Sequence, residues 1–260
     1  MSTANADSSA SVSVDVELAV LNHKLRARLS VPLALMQADD LVPVARAITE
    51  AVVGAAVEDA RANGQEISCR KGCGACCRQL VPITPTEARQ IHSLVESLPE
   101  PRRLAIRARF AEARKRLSEA GLLDLLLKPE EWPVDRGEEL GLKYFFLGVA
   151  CPFLEDESCS IHPDRPLACR EYLVTSRAEE CSRPSRDRVH CLKLPLKVSA
   201  ALARVAEPDQ CGQTRPWVPL ILAPEWAEMN PDETQPRPGP ELFRQFFEYV
   251  TGKKLSDPGT

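Results

Sequence analysis

The chain has 260 residues, 44% of them hydrophobic and 27% charged, a balance that builds one globular core or two small ones and excludes wholesale disorder. Its formal charge of -4, from 33 basic and 37 acidic side chains, gives no general attraction to nucleic acid or to an anionic membrane. Aromatics at 5% leave little for a base-stacking surface, and the outlier is the count of ten cysteines.

The opening MSTANADSSASVSV contains no Lys or Arg and no apolar block, so it lacks the marks of a secretory or transit signal. The longest uncharged apolar stretch, Tyr144 to Leu154, is eleven residues and is broken by Pro152, whereas a membrane span needs about twenty. A soluble chain that stays in the cytoplasm is expected. In that reducing compartment, clustered cysteines read as metal ligands or reactive thiols rather than as disulfides.

Three regions are expected. Residues 1–40 are a partly disordered N-terminal segment, of which the stretch to about Asp15 is Ser-rich and frames nothing. Residues 41–180 are a helical cysteine-cluster domain, and residues 181–260 are a Pro-rich wrapping tail with a short helix over about Glu241 to Val250. The Ala/Val-rich stretch from Leu41 to Ala62 is a helix that stops before Gly64. Thr84-Pro85-Thr86-Glu87 is a capping box that starts another, running to about Leu98, and a third runs from beyond Pro101 to Ala120, with Ile106, Phe110, Ala113, Leu117 and Ala120 on one stripe. Seven basic residues between Arg102 and Arg116 read as its solvated face. Tyr144 to Val149 reads as a buried strand or extended segment. The fold class is mainly α: helices around an irregular, cysteine-rich metal-binding centre, with little or no strand.

The strongest signal is Cys69-Arg-Lys-Gly-Cys73-Gly-Ala-Cys76-Cys77. Thiols repel one another once ionised and must ionise to ligate, so such density is costly unless a cation offsets it. Gly72 and Gly74 permit the turns that aim sulfurs together, and Cys73-x-x-Cys76 is a spacing at which a tight loop presents two sulfurs to one metal. The second half is Cys151-Pro-Phe-Leu, Cys159-Ser-Ile-His162-Pro-Asp-Arg165-Pro and Cys169-Arg170. Between Cys77 and Cys151 lie 73 residues, long enough for two antiparallel helices to carry the chain out and back so that the halves share one site. Arg165 and Arg170 bracket the last cysteine, where they would either donate hydrogen bonds to cluster sulfurs or an anionic ligand, or pair at the surface with Asp164 or Glu171. Cys181, Cys191 and Cys211 share no metal spacing and read as ordinary buried thiols, because free cysteine behaves as a small apolar residue.

From Cys69 to about Tyr172 these residues resemble the CxxCxxCC cysteine-cluster family (YkgJ-like), described as zinc- or iron-chelating and often as iron-sulfur proteins. The carriers are the Cys69, Cys73, Cys76, Cys77 run, the Cys151-Pro-Phe-Leu block, and Cys159-x-Ile-x-x-x-Arg165-Pro-x-x-Cys169-Arg170. Two departures are the three residues between Cys69 and Cys73, and His162, where relatives are commonly Tyr-like; His162 is therefore not counted as a ligand. The cluster is also similar to one in flagellin lysine methylase-like proteins, which implies no methyl transfer here.

The metal ligands expected are Cys69, Cys73, Cys76, Cys77, Cys151, Cys159 and Cys169, with Arg165 and Arg170 as cofactor-binding residues. Seven is an awkward number for zinc, which takes four. A 4Fe-4S cluster takes four thiolates and leaves three for other uses. The expected function is metal binding, as an iron-sulfur protein supporting electron transfer or cluster-dependent chemistry, with a redox or protein partner. The alternative is a zinc-stapled interaction module without catalysis, and a third reading is a thiol-redox protein cycling Cys73 and Cys76. No nucleic-acid or membrane partner is expected. Dinucleotide, phosphate-loop, hydrolase and zincin motifs are missing.

Overall fold

A computed structural model describes residues 10–128, 137–185, 187–206 and 217–254. Among these, the helices in chain order are α1 (Val42–Ala62), α2 (Pro85–Ser97), α3 (Glu100–Glu119), α4 (Leu123–Leu127), α5 (Gly137–Leu147), α6 (Leu167–Glu171), α7 (Val198–Ala206), α8 (Ala223–Met229) and α9 (Gly239–Thr251). The strands are β1 (Ser11–Val20), β2 (His23–Pro32), β3 (Leu35–Met36), β4 (Pro82–Ile83), β5 (Leu154–Glu155), β6 (Ser158–Cys159), β7 (Val218–Pro219) and β8 (Arg237–Pro238). They form four antiparallel pairs, β1 with β2, β3 with β8, β4 with β7 and β5 with β6. The chain is mainly helical, and no described helix is long and apolar enough to cross a membrane.

The β1–β2 hairpin corrects the expectation of little or no strand, and its first strand begins at Ser11, inside the stretch read as mobile. From Val12 onward, Val, Val, Val, Leu and Val occupy alternate positions up to Val20, the period of a half-buried strand. The intervening Ser, Asp and Glu residues, which by composition read as disorder, are the outward face, where Asp15 pairs with Arg28 and Glu17 with Arg26. On the inward face, Leu18, Val20 and Val31 join α1, α7 and α9 in one apolar cluster, with Leu41, Ile48, Val52, Leu202, Leu242 and Phe246. The region expected to wrap the body thus supplies core residues of its own. α9 buries Leu242, Phe243, Phe246 and Phe247, as its pattern requires.

α2 begins as the sequence predicts: Thr84 Oγ1 accepts from the Glu87 backbone N–H at 3.1 Å, and Glu87 accepts from the Thr84 N–H. α3 buries Ile106, Phe110, Ala113 and Leu117, while Ala120 is exposed at its end. With Ile91, Val95, Phe153 and Ile161, Ile106 and Phe110 form a second cluster, against which Cys151, Cys159 and Cys169 pack. The run from Tyr144 to Leu147 is the last turn of α5, not a strand. A short apolar run carries no period of its own to separate the two.

The basic face of α3 is largely exposed, but three of its arginines, spaced seven apart, lie over the second cysteine segment and its approach. Arg102 donates to the Ser160 carbonyl at 3.3 Å, Arg109 to that of Pro152 at 3.0 Å, and Arg116 to that of Leu147 at 2.7 Å. Such a spacing keeps one helical face aligned over two turns, and the arginines thereby satisfy loop carbonyls that have no ladder partner.

Candidate metal centre

The first cysteine run is shaped by two glycines. Gly72 has φ +84 at the third position of a turn closed by Cys73 N–H to Arg70 O at 3.1 Å, a conformation that favours glycine. Gly74 is needed for close approach: a Cβ there would stand 2.8 Å from Leu154 Cδ1 and would run into the Glu157 carboxylate. Beyond it, Ala75–Arg78 forms a 3-10 turn that carries Cys76 and Cys77. Arg78 leaves this turn to make two hydrogen bonds to Glu157, at 2.8 and 2.6 Å, at the tip of the β5–β6 hairpin. Asp156 and Glu157, both with positive φ, form that tip.

The two cysteine segments meet at the backbone, where Cys151 N–H donates to Cys77 O at 2.7 Å. Cys169 rides on α6, whose first N–H, that of Leu167, donates to the buried Glu87 carboxylate at 2.7 Å. One side chain thus caps α2 and anchors α6. From α1, Arg46 holds the Asp164 carbonyl at 2.9 Å and its carboxylate at 3.0 Å. At the first run, Cys69 Sγ accepts the Val174 N–H at 3.4 Å.

Two adjoining cavities result. A cavity of about 260 Å³ has Cys76, Cys77, Cys151, Cys159 and Cys169 on its walls. One of about 580 Å³ has Cys69, Cys73, Cys76, Cys77, Cys159 and Cys169. Each of the seven sequence-predicted cysteines lines at least one of these cavities, and Arg165 lines both. Arg170 lines neither. Its guanidinium is buried and committed to the Arg165 carbonyl at 3.0 Å, to the Pro163 carbonyl and to Glu50, so its donors fasten the loop behind the site. His162 lines the larger cavity, where the charge of Arg165 lowers its pKa.

The thiols are electrostatically crowded. Burial pushes Cys69, Cys159 and Cys169 up, and takes Cys151 up to about 12; neighbouring sulfurs add to the effect. Cys76 is the exception, held below the usual thiol range because Cys77 donates its S–H to it, with Arg165 assisting. Cys77, whose proton is so committed, is raised.

This donor set fits a thiophilic metal: many sulfurs that cannot all ionise in the absence of a cation, and an Arg165 Nε that is buried with no hydrogen-bond partner on a wall common to both cavities. Among the described residues, no three His, Cys, Asp or Glu side chains already close on one ion-sized point. Residues 68–191, just under half of the chain, match the model of a family described as a "putative zinc- or iron-chelating domain". Over this segment the chain is similar to the CxxCxxCC family. Searches of curated proteins and of solved structures found no match to the chain.

The CxxCxxCC segment also contains a thiol that sequence spacing missed. Cys181 is buried on the 3-10 turn Ala178–Ser182 and lines the larger cavity with Cys69 and Cys73. No local motif marks it; only the packing of that turn on Ala75–Arg78 brings it in. Cys191 is exposed, and Cys211 lies outside the described residues.

Proposed function

We propose that the cysteine-lined cavities bind iron as an iron-sulfur centre, with Cys69, Cys73, Cys76, Cys77, Cys151, Cys159 and Cys169 as the pool of ligands, and that the protein serves electron transfer or cluster-dependent chemistry with a redox partner. The supporting observation is the convergence of thiols from two distant segments on adjoining cavities with common walls. Metal binding as such follows from the CxxCxxCC domain; iron-sulfur chemistry is our reading of a ligand set dominated by thiols and more numerous than one zinc ion requires.

When bound, such a cluster supplies one-electron transfer at a potential set by hydrogen bonds to its sulfurs and by solvent access. The chain's own contribution is to hold thiolates on both sides of the site and to exclude water with Phe153, Ile161 and Leu220. Arg165, whose Nε is buried without a hydrogen-bond partner, would supply a donor to the cluster's sulfurs. Arg170 is a positioning residue that holds the Arg165 carbonyl.

Anaerobic purification followed by metal and acid-labile sulfide assay and visible absorption tests the reading. Brown protein with iron, sulfide and a visible band that bleaches on reduction is the expected result. Colourless protein with stoichiometric zinc replaces it with a zinc-stapled interaction module, and metal-free protein with a titratable Cys73–Cys76 disulfide replaces it with thiol redox chemistry.

A further inference from the structure

We propose that the chain holds two metal centres side by side, one ligated by Cys69, Cys73, Cys76 and Cys181 and the other by Cys77, Cys151, Cys159 and Cys169. Cys181 is the ligand that completes the first. The inference rests on the metal-binding reading above and deepens it, and its ligand class is a thiophilic metal, as iron in a cluster or as zinc.

The walls of the two cavities divide the thiols. Cys151 lines only the smaller; Cys69, Cys73 and Cys181 line only the larger; Cys76, Cys77, Cys159 and Cys169 lie between and line both. The chain divides that common group further. Cys77 is tied to Cys151 through the backbone, whereas Cys76 continues the run of Cys69 and Cys73 along the wall of the larger cavity. The adjacent pair gives one sulfur to each centre.

The count then closes. Seven thiols leave three without a role around a single four-thiolate site, while eight make two complete sets of four. Cys181 is also the buried member of its region, whereas Cys191 is exposed and lines neither cavity. Arg165 lines both cavities, so its charge offsets both thiolate sets at once.

The test is metal and sulfide per chain, with visible absorption, for the anaerobically purified full chain and for C151S, C181S, C191S and the C151S/C181S double variant. The wild type is expected to carry twice the metal of either C151S or C181S, C191S to match the wild type, and the double variant to hold none. A wild-type chain with only one centre, or C181S with full metal content, overturns the proposal. In the latter case a loss in C151S leaves the metal-binding reading intact, whereas a wild type with no metal removes that reading as well. Because Cys181 is buried and its replacement can disturb folding, a second measurement uses the wild type loaded with cadmium-113. Proton–cadmium correlation is expected to place the Cys181 β protons on the same cadmium as those of Cys69 and Cys73. Cys181 β protons coupled to no cadmium overturn the proposal.

Discussion

Cys151 donates its backbone N–H to the carbonyl of Cys77 across 2.7 Å, so the two cysteine segments are registered by the main chain before any metal is considered. The cluster formed by α1, α7, α9 and the hairpin contains no cysteine, and α2 and α3 pack through Ile91, Val95, Ile106 and Phe110. Stripping the metal is therefore expected to leave most of the helical far-UV circular dichroism and a cooperative urea transition, unlike a zinc finger, which unfolds without its ion. Collapse of the helical signal on anaerobic chelation would contradict this.

Glu87 accepts three hydrogen bonds in a buried setting, two from Thr84 and one from the Leu167 N–H. Removing it leaves both helix starts without their acceptor, and a buried unsatisfied donor costs about 1–3 kcal/mol. Glu87→Ala is expected to lose that much stability in urea titration and to weaken metal retention through a displaced Cys169. Glu87→Gln, which keeps one acceptor oxygen, should lie between; a variant as stable as the wild type would show that α6 needs no anchor.

What was legible in the sequence was whatever repeats or caps locally. The Thr84 capping box, the Ile106-to-Leu117 stripe and the Phe-rich face of α9 each show a full period in the sequence, and the motif spacing named seven cysteines that each line one or both of the two cavities. The hairpin was hidden because its outward serines resemble a disordered composition. α5 was hidden because Tyr144 to Leu147 is apolar on every side. Cys181 and the arginine row of α3 were hidden for a different reason: their partners lie far off in sequence, and only tertiary packing connects them.

Gly74 is closed in by Leu154 and Glu157, so Gly74→Ala is expected to destabilise by about 1–3 kcal/mol through overpacking, and to loosen the Arg78–Glu157 pair. Part of the strain comes from the movable Glu157 side chain. Adding Glu157→Ala to Gly74→Ala should recover some stability, although Glu157→Ala alone costs little at that exposed position. A double-mutant cycle in urea measures the coupling, and strict additivity would refute the contact.

Arg170 ties the Pro163 and Arg165 carbonyls to Glu50 from a buried position. Arg170→Ala leaves those carbonyls without a donor and should cost about 2–4 kcal/mol. Arg170→Lys restores the charge but not the fork, and should recover only part. If Arg170 instead touched the metal centre, Arg170→Lys would shift the reduction potential or visible spectrum at unchanged stability, so the two readouts together separate positioning from contact.

Asp39 supplies the pH dependence. Burial, reinforced by the Asp232 carboxylate, pushes its carboxyl from 3.8 up to about 6, and its Oδ1 has no hydrogen-bond partner. The folded chain then holds a proton that the unfolded chain has released over that interval. The stability this contributes is complete below about pH 4 and is lost as the pH rises through about 6. Asp39→Asn cannot ionise, so its stability relative to the wild type should rise across that window and stay level below it. Because Asp39 is half-buried, solvent screening trims the change to about 1 kcal/mol. Urea midpoints for both proteins between about pH 3.5 and 7.5 decide it: a difference that does not vary with pH means that Asp39 titrates like any exposed carboxylate.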